Sequence, residues 1–234
     1  MKFDAALSPS DISHLHECDL SRTTCVVFDV LRATSSMITA LANGAAEIHP
    51  AKTIEEARAL RLEMPDALLG GERHGERIEG FDLGNNPLEY TALAGKRIIS
   101  TTTNGTIALR ACERAGRVLV GALLNIAALR DELARSQPAE VLLVCAGTFE
   151  TFALEDAIAA GVLASEFPEA ELTDAAVAVI ATARQFATPL DGLLVARNGR
   201  ALVAKGWKNQ IEWCADVSRF AVIGAMDGKI IRSL

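Results

Sequence analysis

The sequence predicts an α/β protein with three α/β/α layers and a mainly parallel sheet. Short β-branched apolar runs of strand length alternate along the chain with segments of helical spacing. This alternation is typical of parallel strands whose connecting helices cover both faces of the sheet. Half of the 234 residues are apolar, which is enough to bury a sizeable core.

The predicted strands and helices follow in chain order. Runs rich in Val, Ile and Leu predict strands over residues 25–30, 97–100, 117–120 and 141–145. Apolar residues at helical spacing predict helices over residues 35–43, 54–63, 105–115, 126–134 and 154–165.

Residues typical of helix ends flank these predicted helices. Side chains that accept hydrogen bonds from the first helical N–H groups stand at the expected N-caps, Thr34, Asn104 and Asn125. Glycines, which tolerate a left-handed backbone, stand at the expected C-caps, Gly44 and Gly116.

The region after about residue 173 is less regular. Its clearest feature is Asp227-Gly228 between two apolar runs, which predicts a tight hairpin turn. No linker, low-complexity tract or repeat marks a domain boundary. We place a weak boundary near residue 170, so that 1–170 is the main α/β part and 171–234 an α/β extension packed on it. Two closely packed subdomains and one undivided domain are the alternatives.

Composition excludes several functional classes. Charged residues make up 23% of the chain and the net charge is −7, so the basic footprint of a nucleic-acid-binding protein is missing. The longest apolar runs fall well short of the roughly 20 residues that a membrane span needs. The five cysteines are widely spaced, and no export signal is visible. We expect a cytoplasmic protein without nucleic-acid or membrane partners; only general frequency favours a homodimer.

Four predicted strands end in loops rich in small and hydroxyl-bearing residues. In an open α/β sheet the carboxyl ends of the strands form the ligand crevice, where helix N-termini present unpaired N–H groups to anions. A local cluster of this kind can bind an anion despite a negative net charge. The loops span residues 29–34, 100–106, 121–125 and 145–148.

The loop over residues 100–106 reads Ser-Thr-Thr-Thr-Asn-Gly-Thr. Its hydroxyl groups and amide surround a glycine that lets the backbone close around an oxyanion. A threonine-rich strand followed by an asparagine N-cap is the alternative interpretation. Phosphate is the expected ligand. The predicted binding residues are Thr102, Thr103, Asn104, Gly105 and Thr106.

Asp29 ends an apolar strand, and Arg32 and Thr34 follow within one turn. A carboxylate, a guanidinium and a hydroxyl group can therefore meet at one point. Hard oxygen ligands hold Mg²⁺ and arginine binds phosphoryl oxygens, so this group suits a metal ion and a phosphate together. An Asp–Arg ion pair that caps the next helix is the alternative.

A stretch rich in Gly and Asn, residues 70–87, carries further charged residues. We expect irregular structure there, because these residues interrupt helices and strands. Long loops of this composition commonly line active sites, although a solvated surface loop is the alternative. Glu72 and Asp82 are the candidates for ligating a metal or orienting a water molecule.

Cys145, Gly147, Glu155 and Asp156 follow the last predicted strand. The two acidic residues fall in the first turn of a predicted helix, where the helix dipole favours them whatever their function. Cys145 is expected to be an inert core thiol unless nearby helix N-termini lower its pKa.

Several well-known catalytic motifs are absent. The chain has no phosphate-binding P-loop, no dinucleotide fingerprint and no nucleophile elbow. Asp29 lacks the second aspartate of the DxD phosphoaspartate motif, and Thr151 stands where a cysteine phosphatase would carry arginine after Cys145. The four histidines are scattered without metal-ligand spacing.

Taken in chain order, these motifs resemble the signatures of the 2-phosphosulfolactate phosphatase family. Asn86 departs from the pattern, where we expect serine, as does Glu150, where the family usually has glycine. The matching segments are DVLRATS at 29–35, GGER at 70–73, GFDLGNNP at 80–87, TTTNGT at 101–106, CAG at 145–147 and LED at 154–156.

The resemblance implies a three-layer α/β fold, Mg²⁺ dependence and a small anionic phosphorylated acid as substrate. The implied reaction hydrolyses 2-phospho-3-sulfolactate to sulfolactate and phosphate, a step towards coenzyme M. A related phosphorylated hydroxy acid is the alternative substrate.

We hypothesise the following division of roles in the site. The predicted catalytic residues are Asp29, Arg32, Glu72 and Asp82. The predicted Mg²⁺ ligands are drawn from Asp29, Glu72, Asp82 and Asp156. The predicted substrate-binding residues beside the threonine loop are Thr34, Arg73, Asn85, Cys145 and Gly147, with Arg73 and Arg77 assigned to the carboxylate and sulfonate of the substrate.

Two questions stay open at the level of sequence. The two alternative routes are direct attack of water on phosphorus and attack by Asp29 to form an acyl phosphate. Two other functional classes compete with a phosphatase: a non-catalytic sensor that binds a phosphorylated acid at the same loops, and a phosphosugar isomerase, which would need a base beside the sugar.

Overall fold

The computed structural model describes residues 1–234 and contains eleven strands and ten α-helices. The strands are β1 (Lys2–Ala6), β2 (Thr23–Phe28), β3 (Glu47–Pro50), β4 (Leu68–Arg73), β5 (Glu76–Arg77), β6 (Arg97–Thr101), β7 (Arg117–Gly121), β8 (Glu140–Cys145), β9 (Glu171–Leu172), β10 (Gly224–Asp227) and β11 (Ile230–Ser233).

The helices connect these strands in the first three quarters of the chain and then follow one another. They are α1 (Pro9–Ser13), α2 (Ala33–Ala42), α3 (Ile54–Glu63), α4 (Gly105–Ala111), α5 (Ile126–Ser136), α6 (Leu154–Ser165), α7 (Asp174–Arg184), α8 (Pro189–Val195), α9 (Arg197–Ala204) and α10 (Lys208–Cys214).

All strands belong to one sheet with the order β5-β4-β6-β3-β11-β10-β7-β2-β8-β1-β9. Parallel pairing holds β4, β6 and β3 together on one side, and β7, β2, β8, β1 and β9 on the other. The antiparallel hairpin β10–β11 joins the two parallel groups by pairing with β7 and β3. The prediction of an α/β fold with a mainly parallel sheet is confirmed.

The two faces of the sheet bury separate apolar cores. Along β2, Cys25 and Val27 face one core, and Val26 and Phe28 face the other, as the alternation of side chains in a strand requires. Helices α2 and α4 cover the first face, and α5, α6 and α7 cover the second. A smaller cluster between α3 and β4 contains Ala57, Leu69 and Ile99.

Residues after 170 share the sheet with residues before it. The hairpin β10–β11 turns at Gly228, whose φ of 58° matches the predicted Asp227-Gly228 turn, and it lies in the middle of the strand order. The division at residue 170 stays a prediction.

Three local predictions were wrong. The Gly-rich segment from Gly70 forms part of β4 rather than irregular structure. Helix α2 begins at Ala33, so Thr34 lies inside it and Arg32 occupies the N-cap. Helix α4 ends at Ala111, and Gly116 serves another purpose, because a Cβ there would come within 2.4 Å of the Ser21 carbonyl oxygen.

None of the ten helices combines the length and the apolar character that crossing a membrane requires.

Candidate active site

A pocket of about 260 Å³ lies where the carboxyl ends of β2, β4, β6 and β8 approach helix α9. This volume falls near the lower limit of about 300 Å³ usual for small-molecule sites, so the pocket suits a small ligand. The loops after β2, β6 and β8, three of the four predicted anion-binding loops, contribute to its lining. The fourth, residues 121–125, is buried elsewhere, where Leu123 and Leu124 accept backbone hydrogen bonds from Ser218 and Phe220.

Asp29 follows β2 and presents its carboxylate to the pocket. The Ala33 N–H donates to Oδ1 (3.2 Å), and the Asp29 N–H donates to the Thr34 hydroxyl (3.0 Å). On the other side the carboxylate contacts Gly105, where a Cβ would lie 2.6 Å from Oδ2. Thr34 and Gly105 therefore position Asp29, and neither lines the pocket.

The pKa of Asp29 is raised to about 7. Burial is the largest cause, since it disfavours the ionised carboxylate, and the negative charges of Glu72 and Glu155 add to it. Hydrogen bonds from the backbone N–H groups of Ala33 and Gly105 act in the opposite direction. Crowded carboxylates of this kind are common at sites that handle protons or cations.

Glu72 enters the pocket from β4 and is held at both carboxylate oxygens. The N–H and hydroxyl of Thr103 donate to Oε1 (2.8 and 2.9 Å), and the Gly75 N–H donates to Oε2 (2.7 Å). Three donors fix the orientation of this buried carboxylate, and Oε2, which accepts only one of them, keeps lone-pair capacity for a further partner.

Arg32 is the buried cation of the pocket and is 4% exposed. Its guanidinium donates to the Gly75 carbonyl (2.7 Å) and to the Gln210 side chain, and it lies 5.3 Å from the ring centre of Trp207. Burial lowers the pKa of Arg32, but a guanidinium stays charged in proteins. Arg32 can therefore neutralise an anion inside the pocket.

The threonine loop divides between lining the pocket and supporting it. Thr103 and Asn104 line the pocket, whereas Thr102 and Thr106 are buried and bond each other through N–H and hydroxyl groups. Asn104 donates to the carbonyl oxygens of Ala146 (3.2 Å) and Phe149 (2.9 Å), and its Oδ1 accepts from the Phe149 N–H (3.0 Å). Asn104 thereby ties the loop after β8 to the loop after β6.

Behind the pocket, Asp156 joins two of its loops. This buried carboxylate accepts from the N–H groups of Val30 (2.8 Å) and Gly147 (3.0 Å). Burial raises the pKa of Asp156, and the charges of Glu155 and Asp29 raise it further. Gly147 lines the pocket, but Asp156 does not, so the structure assigns Asp156 a supporting position.

Cys145 is buried below the pocket. Burial raises the pKa of its thiol well above the ordinary value, with Asp156 and Asp11 contributing. This is the reverse of the lowered pKa that an activated thiolate needs. The predicted contact of Cys145 with substrate is absent from the pocket lining.

Three predicted charged residues lie outside the pocket. Asp82 accepts hydrogen bonds from the Leu69 N–H (2.8 Å) and from Arg61 (2.9 Å). Arg73 follows Glu72 on the strand and therefore points away from it, donating to Thr101 Oγ1 (3.0 Å). Arg77 is exposed, and its guanidinium makes one long hydrogen bond, to the Asp82 carbonyl (3.4 Å).

Two residues at which the chain departs from the family pattern also stand apart from the pocket lining. Asn86 caps the short turn at Pro87–Tyr90 by accepting from the Leu88 N–H (3.1 Å). Glu150 is exposed in the turn between Thr148 and Thr151. The neighbouring Asn85, a predicted substrate-binding residue, does line the pocket.

Sequence reasoning missed a whole wall of the pocket. Helix α9 contributes Arg197 and Asn198, its C-cap residue is Lys205, and the β4–β5 turn contributes His74. No motif marks them, but one signal was available: Arg197 stands in the first turn of a helix, where the dipole disfavours a cation.

The donor set of the pocket suits Mg²⁺. No group of three His, Cys, Asp or Glu side chains is arranged to hold a metal by itself. Mg²⁺ is, however, usually bound by one or two carboxylates, with water and phosphate oxygens as the remaining ligands. Asp29 and Glu72 are the two carboxylates that line the pocket, so they fit this mode of binding.

Comparisons with known proteins agree with the motif resemblance. The family model described as 2-phosphosulpholactate phosphatase matches residues 10–229. A probable 2-phosphosulfolactate phosphatase of Carboxydothermus hydrogenoformans is 38% identical over 226 residues, covering 95% of this chain and 92% of its own.

Two further relatives carry the same description. The protein of Clostridium acetobutylicum is 37% identical over 221 residues, covering 92% of each chain. The protein of Deinococcus radiodurans is 39% identical over 204 residues, covering 85% of each chain. The similarity therefore extends over most of this chain and most of each relative.

Proposed function

Since the chain belongs to the 2-phosphosulpholactate phosphatase family and is thus a phosphatase, we propose that it hydrolyses 2-phospho-3-sulfolactate with the help of Mg²⁺. The relatives' names support the substrate, and the chemistry of the pocket supports the cofactor. The products are 3-sulfolactate and inorganic phosphate.

One observation carries this proposal: a buried guanidinium, Arg32, shares a small pocket with two fixed carboxylates, Asp29 and Glu72. The guanidinium is suited to the phosphoryl oxygens, and the carboxylates are suited to a divalent cation. Phosphoryl transfer depends mainly on positioning and on neutralising charge, which is what this set of groups supplies.

Asp29 and Glu72 are the residues that would hold Mg²⁺. When bound, the ion supplies Lewis-acid stabilisation of the phosphoryl oxygens and makes a bound water more acidic. Glu72 is oriented for this role by Thr103 and Gly75, and Asp29 by Ala33.

The reaction proceeds by direct attack of water on phosphorus. The water oxygen forms the new bond to phosphorus while the ester P–O bond breaks, and one pocket carboxylate accepts the proton of the water. Arg32 neutralises the phosphoryl oxygens, and Asn198 and Gly147 line the same pocket. The leaving alkoxide then takes up the proton that the carboxylate accepted, which gives the hydroxyl of sulfolactate and restores the ionised carboxylate.

Release of inorganic phosphate tests the proposal. We expect release from 2-phospho-3-sulfolactate in the presence of Mg²⁺ and its loss after treatment with EDTA, with phospholactate and phosphoglycolate as poorer substrates. Binding of the phosphorylated acid without any phosphate release would instead support the sensor.

A further inference from the structure

Arg197 is held by fewer and weaker contacts than the other two basic side chains of the pocket. Arg32 is engaged by Gly75 and Gln210, and Lys205 forms an ion pair with Glu76 and lies 4.9 Å from the ring centre of Trp207. Arg197 makes only a long hydrogen bond to Thr151 Oγ1 (3.3 Å), and its guanidinium lies 5.7 Å from the ring centre of Phe149.

The position of Arg197 is unfavourable for the helix that carries it. Arg197 is the first residue of α9, and the N-cap residue Ala196 offers no side-chain hydrogen bond to the helix. A cation in the first turn opposes the helix dipole by roughly 0.3–1 kcal/mol, and no acidic residue in that turn offsets it. Helix stability therefore gives no reason for an arginine here.

The surroundings hold this helix end firmly against the pocket. Asn198 donates to Thr148 Oγ1 (2.6 Å) and to the buried carboxylate of Glu155. These contacts fix the start of α9 against the loop after β8. The backbone that carries the exposed guanidinium of Arg197 is thus held in place at the edge of the pocket.

We propose that Arg197 is a specificity-determining residue that binds an acidic group of the substrate other than the phosphate. This inference rests on the proposed function, because Arg32 is taken to hold the phosphate. A guanidinium binds a carboxylate through two parallel hydrogen bonds, and it binds a sulfonate by the same chemistry. The pocket therefore selects phosphorylated acids that carry a second anionic group, and Arg197 takes the place that Arg73 and Arg77 were predicted to fill.

Substrate comparison with variants of Arg197 tests this role. The variants are Arg197→Ala and Arg197→Lys, and the matched control is Arg200→Ala. Arg200 is exposed on the same helix, bonds the Val195 carbonyl and does not line the pocket. The substrates are 2-phospho-3-sulfolactate, phospholactate and p-nitrophenyl phosphate, which has no acidic group besides its phosphate.

We expect Arg197→Ala to raise KM for 2-phospho-3-sulfolactate by about tenfold or more, as the loss of a charged hydrogen bond implies. KM for p-nitrophenyl phosphate should stay within about twofold of the wild-type value, Arg197→Lys should recover part of the loss, and Arg200→Ala should match the wild type. If KM rises for phospholactate as well, Arg197 binds the carboxylate. If KM rises for the sulfonated substrate alone, Arg197 binds the sulfonate.

An equal change of KM for all three substrates, or none for any, would overturn the inference. Calorimetric titration with 3-sulfolactate gives a second readout that needs no turnover, and Arg197→Ala should weaken this binding by about tenfold. If the wild type releases no phosphate but the calorimetric difference persists, the proposed function fails and the binding role of Arg197 stands. If turnover is normal and Arg197→Ala changes neither readout, only the role of Arg197 fails.

Discussion

Asp29 is the residue on which the loops of the pocket converge. It connects the end of β2 to the first turn of α2 through Ala33, and it contacts Gly105 at the start of α4. Any side chain at position 105 would collide with the carboxylate, at 2.6 Å, or with the Ala33 side chain, at 2.8 Å. The glycine of the threonine loop is thus needed to make room for Asp29.

Replacing Asp29 should separate the two chemical routes. We expect Asp29→Asn to lower kcat by about a hundredfold or more, because the pocket loses one of its two carboxylates. Rapid-quench labelling of the wild type should show no base-labile phosphoenzyme, since water attacks directly. The exposed Asp66, changed to asparagine, serves as the control and should behave as the wild type.

A labelled, base-labile intermediate that forms in the wild type and disappears in Asp29→Asn would contradict this expectation. That result would identify Asp29 as the nucleophile, with an acyl phosphate as the intermediate.

Residue type and position at a strand end were enough to place four of the seventeen residues that line the pocket. Asp29, Arg32, Thr103 and Asn104 follow apolar strands, and parallel strands bring their carboxyl ends together. The sequence could not separate Glu72 from its neighbours in the same way, because only the pairing of the strand decides which side chain faces the pocket.

At the scale of elements, β4 shows why local pattern fails in a glycine-rich segment. Gly70 and Gly71 lower the propensity for a strand, yet close packing requires glycine at both positions. A Cβ at Gly70 would lie 2.5 Å from the Tyr90 hydroxyl, and one at Gly71 would lie 2.0 Å from the Thr101 carbonyl oxygen. These partners come from distant parts of the chain, so the need for glycine is visible only in the fold.

Asp82 ties the segment after β5 back to β4 and α3. Its carboxylate accepts from the Leu69 N–H and from Arg61, which leaves it facing away from the pocket. Burial alone would raise the pKa of Asp82, but the hydrogen bonds from Leu69 and Arg61 and the charge of Arg61 outweigh it and lower the pKa. The ionised carboxylate therefore stabilises the fold.

We expect Asp82→Asn to keep kcat/KM within about threefold of the wild type while lowering Tm at pH 7. Because the folded-state pKa is lowered, the stabilisation is present above the unfolded value, near 4, and is lost as the pH falls through the folded-state pKa. The difference in Tm between the two proteins should therefore shrink below about pH 4. Loss of activity at unchanged Tm would restore the predicted catalytic or metal-binding role.

At the scale of the whole molecule, the pocket is assembled from residues on both sides of the predicted boundary at residue 170. The strand ends that carry Asp29 and Glu72 lie before residue 170, and helix α9 with Arg197 and its C-cap residue Lys205 lies after it. The net charge of −7 coexists with three basic side chains in one pocket, which makes the site locally attractive to an anion.

The hairpin β10–β11 could be predicted as a local structure but not in its place in the sheet. The Asp227-Gly228 turn sets the antiparallel pairing, whereas insertion between β3 and β7 depends on the buried side chains Met226 and Ile231. Both pack in the core with residues of α2 and β7, far away in sequence. The hairpin is the only part of the sheet that pairs with both β3 and β7. Without it, no strand pairing would connect the two parallel groups.

We therefore expect a fragment of residues 1–170 to lack a cooperative thermal transition, while the full chain shows one. A second fragment, residues 1–223, should behave in the same way, because it keeps every helix but loses the hairpin that joins the two parallel groups. Far-UV circular dichroism during heating measures both. Cooperative unfolding of 1–170 by itself would show that the predicted boundary near residue 170 separates two domains, since the strands β3 and β7 would then be held together without β10 and β11.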